Sequence, residues 1–192
     1  MGSLGFCVRN GDRDILVPLR HACGGLCWSG RRRVVSREEE RGGPQGRSFD
    51  LQAYPGQFAA LASLIARHSE IPVIINHLGM PVISDTDGIS LWRKGMRALA
   101  ASQHVHVKLS GVGFIRRDWT IPQITPFLLE AIDMFGPDRC LFASDYPTDK
   151  LFGSFDRHLD AYSEIVSGFS EGDRRNMFGR NAARIYRMDI DL

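Results

Sequence analysis

From Ser48 onward, short apolar runs alternate with longer stretches in which apolar residues recur every three or four positions. The short runs cover 48–52, 72–77, 105–110 and 140–145, and Gly or Pro closes most of them. They predict four strands; the run 72–77 is nearly all apolar, as in a sheet buried on both faces. Helical spacing follows each early run: Phe58, Leu61, Ala62, Leu64 and Ile65 within 56–69, then Leu91, Trp92, Met96, Leu99 and Ala100 within 89–103. A third set, Ile124, Phe127, Leu128, Ala131 and Ile132, marks a helix over 121–135. Side chains three and four apart share one helix face, so these residues are expected to point inward. Two further helices are expected near 153–167 and 171–187, the last opened by a capping box in which Asp173 answers Ser170. Strand and helix in alternation predict a parallel sheet with helices outside.

Residues 1–47 break this pattern. They hold nine Arg, no Lys and nine Gly, and only Asp14 to Leu19 suits a short strand. Arg31-Arg32-Arg33, Glu38-Glu39-Glu40 and Gly42-Gly43-Pro44 follow one another without periodicity. The segment reads as an irregular leader, weakly structured or out of frame with the domain at 48–192. No aromatic or folded context supports the Arg triplet as a nucleic-acid patch, so a solvated loop is preferred.

The remaining composition narrows the class. A net charge of +2 calls for neither nucleic acid nor membrane. No apolar run approaches the roughly 18 residues of a membrane span, and no basic start leads into a secretory signal. Cys7, Cys23, Cys27 and Cys140 form no regular framework, and Cys23 with Cys27 lacks a second pair of zinc ligands. Cys140 opens an apolar strand and is expected to be a buried free thiol, as in a reducing cytoplasm.

Polar residues gather where the strands end: Asp50 and Gln52, Asn76 and His77, Lys108 and Ser110, Ser144 and Asp145. In a barrel of parallel strands, these C-terminal ends face the active site. His and Asp from different strands at one mouth suit metal-assisted hydrolysis. An imidazole donates a lone pair to the ion, and a carboxylate binds it or takes a proton from its water. Plainer readings stand beside this one. A His ending an apolar strand is frequently a satisfied core residue, and Asp145 before Tyr-Pro is also a turn former.

Five strings sharpen the choice. Asn-His-Leu-Gly-Met-Pro (76–81), Val-Lys-Leu-Ser-Gly (107–111) and Arg-Cys-Leu-Phe-Ala-Ser-Asp-Tyr-Pro (139–147) resemble the strand-six, strand-seven and strand-eight motifs of the amidohydrolase-related hydrolases. Ser-Phe-Asp-Leu-Gln (48–52) resembles their strand five, and Asn-Ala-Ala-Arg-Ile-Tyr-Arg (181–187) their closing helix. The resemblance implies an α/β fold of TIM-barrel type, a partial barrel equivalent to strands five to eight. A whole barrel usually takes about 250 residues.

The family roles carry to Asp145 as general base and to His77 as the group that binds metal or polarises the scissile carbonyl. Both would be ligands of one divalent ion, Zn or Mn, where a metal is bound. Gln52, Asn76, Lys108 and Ser110 are candidate substrate contacts. Lys108 suits either a substrate carboxylate or an internal ion pair with Asp50 or Asp145. The implied reaction is hydrolysis of a small lactone or cyclic ester. A metal-dependent decarboxylase and a truncated, non-catalytic remnant are the alternatives.

Two departures bear on these expectations. The family's strand-one His-x-His pair has no counterpart in 1–47, where His21 stands alone. His104-Val-His106 precedes Lys108 on its strand and should lie at the bottom of the barrel, away from the mouth. Metal binding by this chain is therefore expected to be weak or absent. Open barrel edges suggest homo-oligomerisation, with no nucleic-acid or membrane partner.

Overall fold

In the structure, a computed structural model that describes residues 5–10, 13–18, 48–81 and 86–189, the four apolar runs become four parallel strands. The chain divides into two units, 1–47 and 48–192. The first contains an antiparallel hairpin of β1 (Gly5–Asn10) and β2 (Arg13–Pro18), paired from Gly5↔Pro18 to Asn10↔Arg13. The expected strand at 14–19 is thus present, shifted by one residue, with a partner strand that periodicity did not reveal. His21, Cys23, Cys27 and the 31–44 charge runs lie outside the described residues.

The second unit carries a sheet in the order β3 (Phe49–Leu51), β4 (Val73–Ile75), β5 (Val105–Leu109), β6 (Cys140–Phe142). Between and after the strands come α1 (Phe58–Ile65), α2 (Thr86–Ala100), the single turn α3 (Val112–Ile115), α4 (Ile121–Phe135), α5 (Phe155–Ile165), α6 (Glu171–Arg175) and α7 (Asn181–Tyr186). The expected 171–187 helix is interrupted by a π-helical turn at Asn176–Arg180. Ser170 caps it, accepting from the Asp173 N–H at 3.1 Å and donating to the Asp173 carboxylate at 2.7 Å. The shorter Asp thus grips the capping hydroxyl, where a Glu would reach the backbone.

Pleating gives the sheet two faces. The row Leu51, Ile75, Val107, Cys140 is buried together with Val73, Val105 and Leu109. Helices α2 and α4 pack beside β5, contributing Trp92, Met96, Leu99, Ile124 and Leu128 to the core. Of the expected inward positions on α2, Leu91 is instead exposed. The opposite face carries Asp50, Ile74, His106, Lys108 and Leu141. Helix α7 lies on this face, where Ile185 and Tyr186 cover Ile74 and Leu141. Asn181 anchors it by donating to the Pro137 and Cys140 carbonyls, both at 2.7 Å. The closing helix therefore does not join an outer layer. Arg139 ties the start of β6 to the end of α2 through the Ala100 and Ser102 carbonyls at 2.9 and 3.0 Å.

Cys140 is a free, buried thiol whose pKa burial pushes well above its ordinary value. Among the described residues, no helix is long and apolar enough to cross a membrane.

Candidate active site

The end of β4 sets the geometry. Asn76 is extended, and then His77, Leu78, Gly79 and Met80 follow with φ of 52°, 54°, 69° and 51°. Four consecutive left-handed residues form a tight turn, closed by Gly79 N–H to Asn76 O at 3.0 Å and Met80 N–H to His77 O at 2.8 Å. The left-handed region costs an L-residue roughly 1–2 kcal/mol. Surrounding packing holds the turn in place. The buried Trp92 indole donates to the Leu78 carbonyl at 2.7 Å, and Gly79 sits where a Cβ would come within 2.8 Å of Phe58 and Met96. Strain held this firmly by its neighbours is frequent at functional sites.

The turn delivers His77 between β5 and the end of β6. Its Nδ1 is 3.1 Å from Ser110 Oγ, and its Nε2 is 3.7 Å from Asp145 Oδ1. The backbone of Gly111, at φ 67°, passes so close that a Cβ would lie 2.8 Å from His77 Cβ. On the remaining side, the Phe114 ring stands 5.7 Å from the imidazole. Burial pulls the His77 pKa below 6.5; the Asp145 carboxylate opposes this, and the Lys108 charge adds to it. The ring is therefore neutral at neutral pH.

Asp145 also has a left-handed backbone, with φ of 51°. Its Oδ1 faces His77, whereas Oδ2 is buried without a hydrogen-bond partner. An unsatisfied buried carboxylate oxygen is costly unless a water, substrate or ion meets it.

A second cluster holds Lys108. Its ammonium donates to Asp50 at 3.0 Å, the Tyr186 hydroxyl donates to the other Asp50 oxygen at 2.7 Å, and the cation lies 5.5 Å from the Tyr186 ring centre. Of the two readings open for Lys108, the structure forms the ion pair with Asp50. Burial and the neighbouring carboxylate push the Tyr186 pKa far up, so the phenol remains a donor. Ser110 joins the His77 cluster, Gln52 is exposed, and the Asn76 amide oxygen is buried without a partner. Ser144 accepts from the Tyr146 N–H at 3.3 Å and so shapes the turn around Asp145.

A third pair was not visible in the sequence. Asp149 and His158 are both fully buried, with Oδ2 and Nε2 3.7 Å apart. His158 Nδ1–H donates to the Ser154 carbonyl at 2.8 Å, and the Asp149 N–H donates to the Asp145 carbonyl at 3.1 Å. Burial pushes the Asp149 carboxyl up to about 6, opposed by His158 and aided by the Asp145 charge. Asp149 lies in a polar loop rather than at a strand end, so no periodicity marked it.

His77 and Asp145 converge as two metal ligands would, with Ser110 able to orient the imidazole from behind. A zinc site needs three or four ligands. Among the described residues, no third His, Cys, Asp or Glu joins them. These residues alone do not make a metal site. His106 lies two residues before Lys108 on the same face of β5, where burial foremost, then Arg184 and Arg139, lower its pKa to about 4.

Comparison with known proteins fixes the family. The model of the amidohydrolase family matches residues 34–188. The chain belongs to the amidohydrolases. The match begins at Val34, within the stretch that composition assigned to the leader. An uncharacterized protein of Sinorhizobium fredii is 42% identical over 147 residues, 75% of this chain and 48% of that protein. An L-fucono-1,5-lactonase of Burkholderia multivorans is 31% identical over 150 residues, 72% of this amidohydrolase and 50% of the lactonase. The crystal structure of a zinc-bound Burkholderia multivorans amidohydrolase aligns with a TM-score of 0.68 at 30% identity, covering 73% of this chain and 52% of that one. The fold is therefore part of a TIM-type α/β barrel. The chain spans about half the length of the curated relatives it matches.

Proposed function

We propose that this amidohydrolase acts on a small lactone, with Asp145 as general base and His77 as the electrophile at the carbonyl. The observation that carries the reading is the free, buried Asp145 Oδ2 beside His77 Nε2, on an imidazole whose neutral form burial favours. A water hydrogen-bonded to that oxygen would lie next to a carbonyl held by the imidazole. When Ser110 Oγ–H donates to Nδ1, the imidazole carries its proton on Nε2 and can donate it to the carbonyl oxygen. Attack of water on the carbonyl carbon transfers one proton to Asp145. Collapse breaks the ring C–O bond, and Asp145 returns the proton to the leaving alkoxide. The product is a hydroxy acid, and no carbon dioxide is released.

The lactonase relative supports this reaction class. A divalent metal, where one is bound, would supply further polarisation of the carbonyl or the water.

The test is product analysis on the chain and on a hybrid joining 48–192 to the N-terminal half of the Burkholderia multivorans lactonase. Base uptake in a pH-stat with sugar and aryl lactones, without carbon dioxide release, is the expected result. Carbon dioxide from phenolic acids with no lactone turnover would replace hydrolysis by decarboxylation.

A further inference from the structure

The aromatic residues beside His77 remain without a role in the reaction above. Helix α3 is a single turn directly after Ser110 and Gly111. Val112, Gly113 and Ile115 of this turn are buried, and Phe114 alone is 43% exposed. Its ring is tilted 58° to the His77 imidazole with centroids 5.7 Å apart. Behind it, the Phe152 ring meets it edge-on at 5.9 Å. Phe152 is itself seated on Gly113, where a Cβ would lie only 2.0 Å from the ring. Leu151, next in the chain to Phe152, is 80% exposed. His77, Phe114 and Phe152 thus stand in a series of ring contacts, and Phe114 is the exposed ring among them, packed against Phe152.

The polar surroundings point the same way. Lys108, whose charge reaches His77, is already paired with Asp50 and Tyr186. A substrate carboxylate would have to break that pair. An exposed, rigidly backed aromatic face beside the reactive group instead rewards a ligand with a flat apolar face.

Building on the lactone reading, we infer that Phe114 is a specificity-determining residue that selects uncharged lactones presenting an aromatic or otherwise apolar ring face. The ring stacks on Phe114 and thereby brings its ester carbonyl to His77. Phe114 takes no part in proton transfer. Its truncation weakens binding of ring-faced lactones and leaves polyhydroxylated ones largely unaffected.

The experiment uses two hydrolytically slow lactones as probes, coumarin and D-ribono-1,4-lactone, titrated into the full 192-residue chain. The readout is the NMR resonance of the His77 ring Cε1–H. Coumarin is expected to shift it, and Phe114→Ala to weaken that binding by about 2- to 10-fold, the range typical of one aromatic contact. Phe114→Tyr should restore it, since the ring face is kept. Ribonolactone should bind more weakly than coumarin and respond little to either change. Coumarin that moves His77 equally well in the Phe114→Ala chain would overturn this inference and leave the lactone reading standing. Ribonolactone binding as tightly as coumarin, or depending as strongly on Phe114, would also overturn it. If neither lactone moves His77, the lactone reading itself fails, and this inference falls with it.

Discussion

At the scale of single residues, the site depends on one imidazole kept neutral between opposed charges. Burial is the largest influence on His77, and it lowers the pKa from 6.5; Asp145 raises it and Lys108 lowers it. Protonation therefore favours the unfolded chain, whose His titrates at about 6.5. His77 adds no penalty above that pH and destabilises the fold as pH falls below it. Charge removal should move the titration in opposite directions. Lys108→Met is expected to raise the His77 pKa, and Asp145→Asn to lower it further. Histidine resonances followed through a pH titration decide the point, and the reverse order would refute the placement of these charges around the ring. His77 and Asp145 were legible in the sequence because each ends an apolar strand inside a specific string. Phe114 was not, because one Phe in a Gly-rich loop carries no periodic signal. Tyr186 lies 136 residues from the Asp50 that it bonds, a separation beyond any local pattern.

At the scale of elements, apolar spacing located all four strands of the sheet and the long helices, with boundaries a few residues too generous at strand ends. Those ends are where the backbone turns left-handed at His77 and Asp145. Apolar pattern reports burial and cannot report the sign of φ. It also failed for the face chosen by α7, since an amphipathic helix does not say which sheet face it will cover. The loop after β6 carries the clearest energetic consequence. Asp149 has a folded-state pKa of about 6, above the 3.8 of a free Asp. A raised carboxyl pKa gives a contribution present at low pH and lost as pH rises through the folded value. The ionised Asp149 should therefore burden the fold above pH 6. Asp149→Asn is expected to gain stability relative to the parent as pH rises from 4 to 7. A shift of this size corresponds to about 1–3 kcal/mol. Urea unfolding at the two pH values measures it. A variant less stable than the parent by the same margin at both would show that Asp149 is needed for contacts rather than tolerated as a charge.

At the scale of the whole molecule, 48–192 is a (β/α) unit with strands β3 and β6 at its two sheet edges. Its inner face is only partly covered, by α7 over Ile74 and Leu141. The hairpin at 5–18 was only half readable, because one of its strands lacks an apolar alternation strong enough to stand out. Asp145 is proposed as the base because its Oδ2 has no hydrogen-bond partner and is where the attacking water would sit. The most direct measurement compares lactone hydrolysis by the hybrid barrel with and without Asp145→Asn, with circular dichroism confirming that both are folded. The amide keeps the shape and removes the basic lone pair, so the rate should fall by about 10²- to 10⁴-fold. An active hybrid that hydrolyses lactone at the same rate with Asn at this position would contradict the assignment of the base.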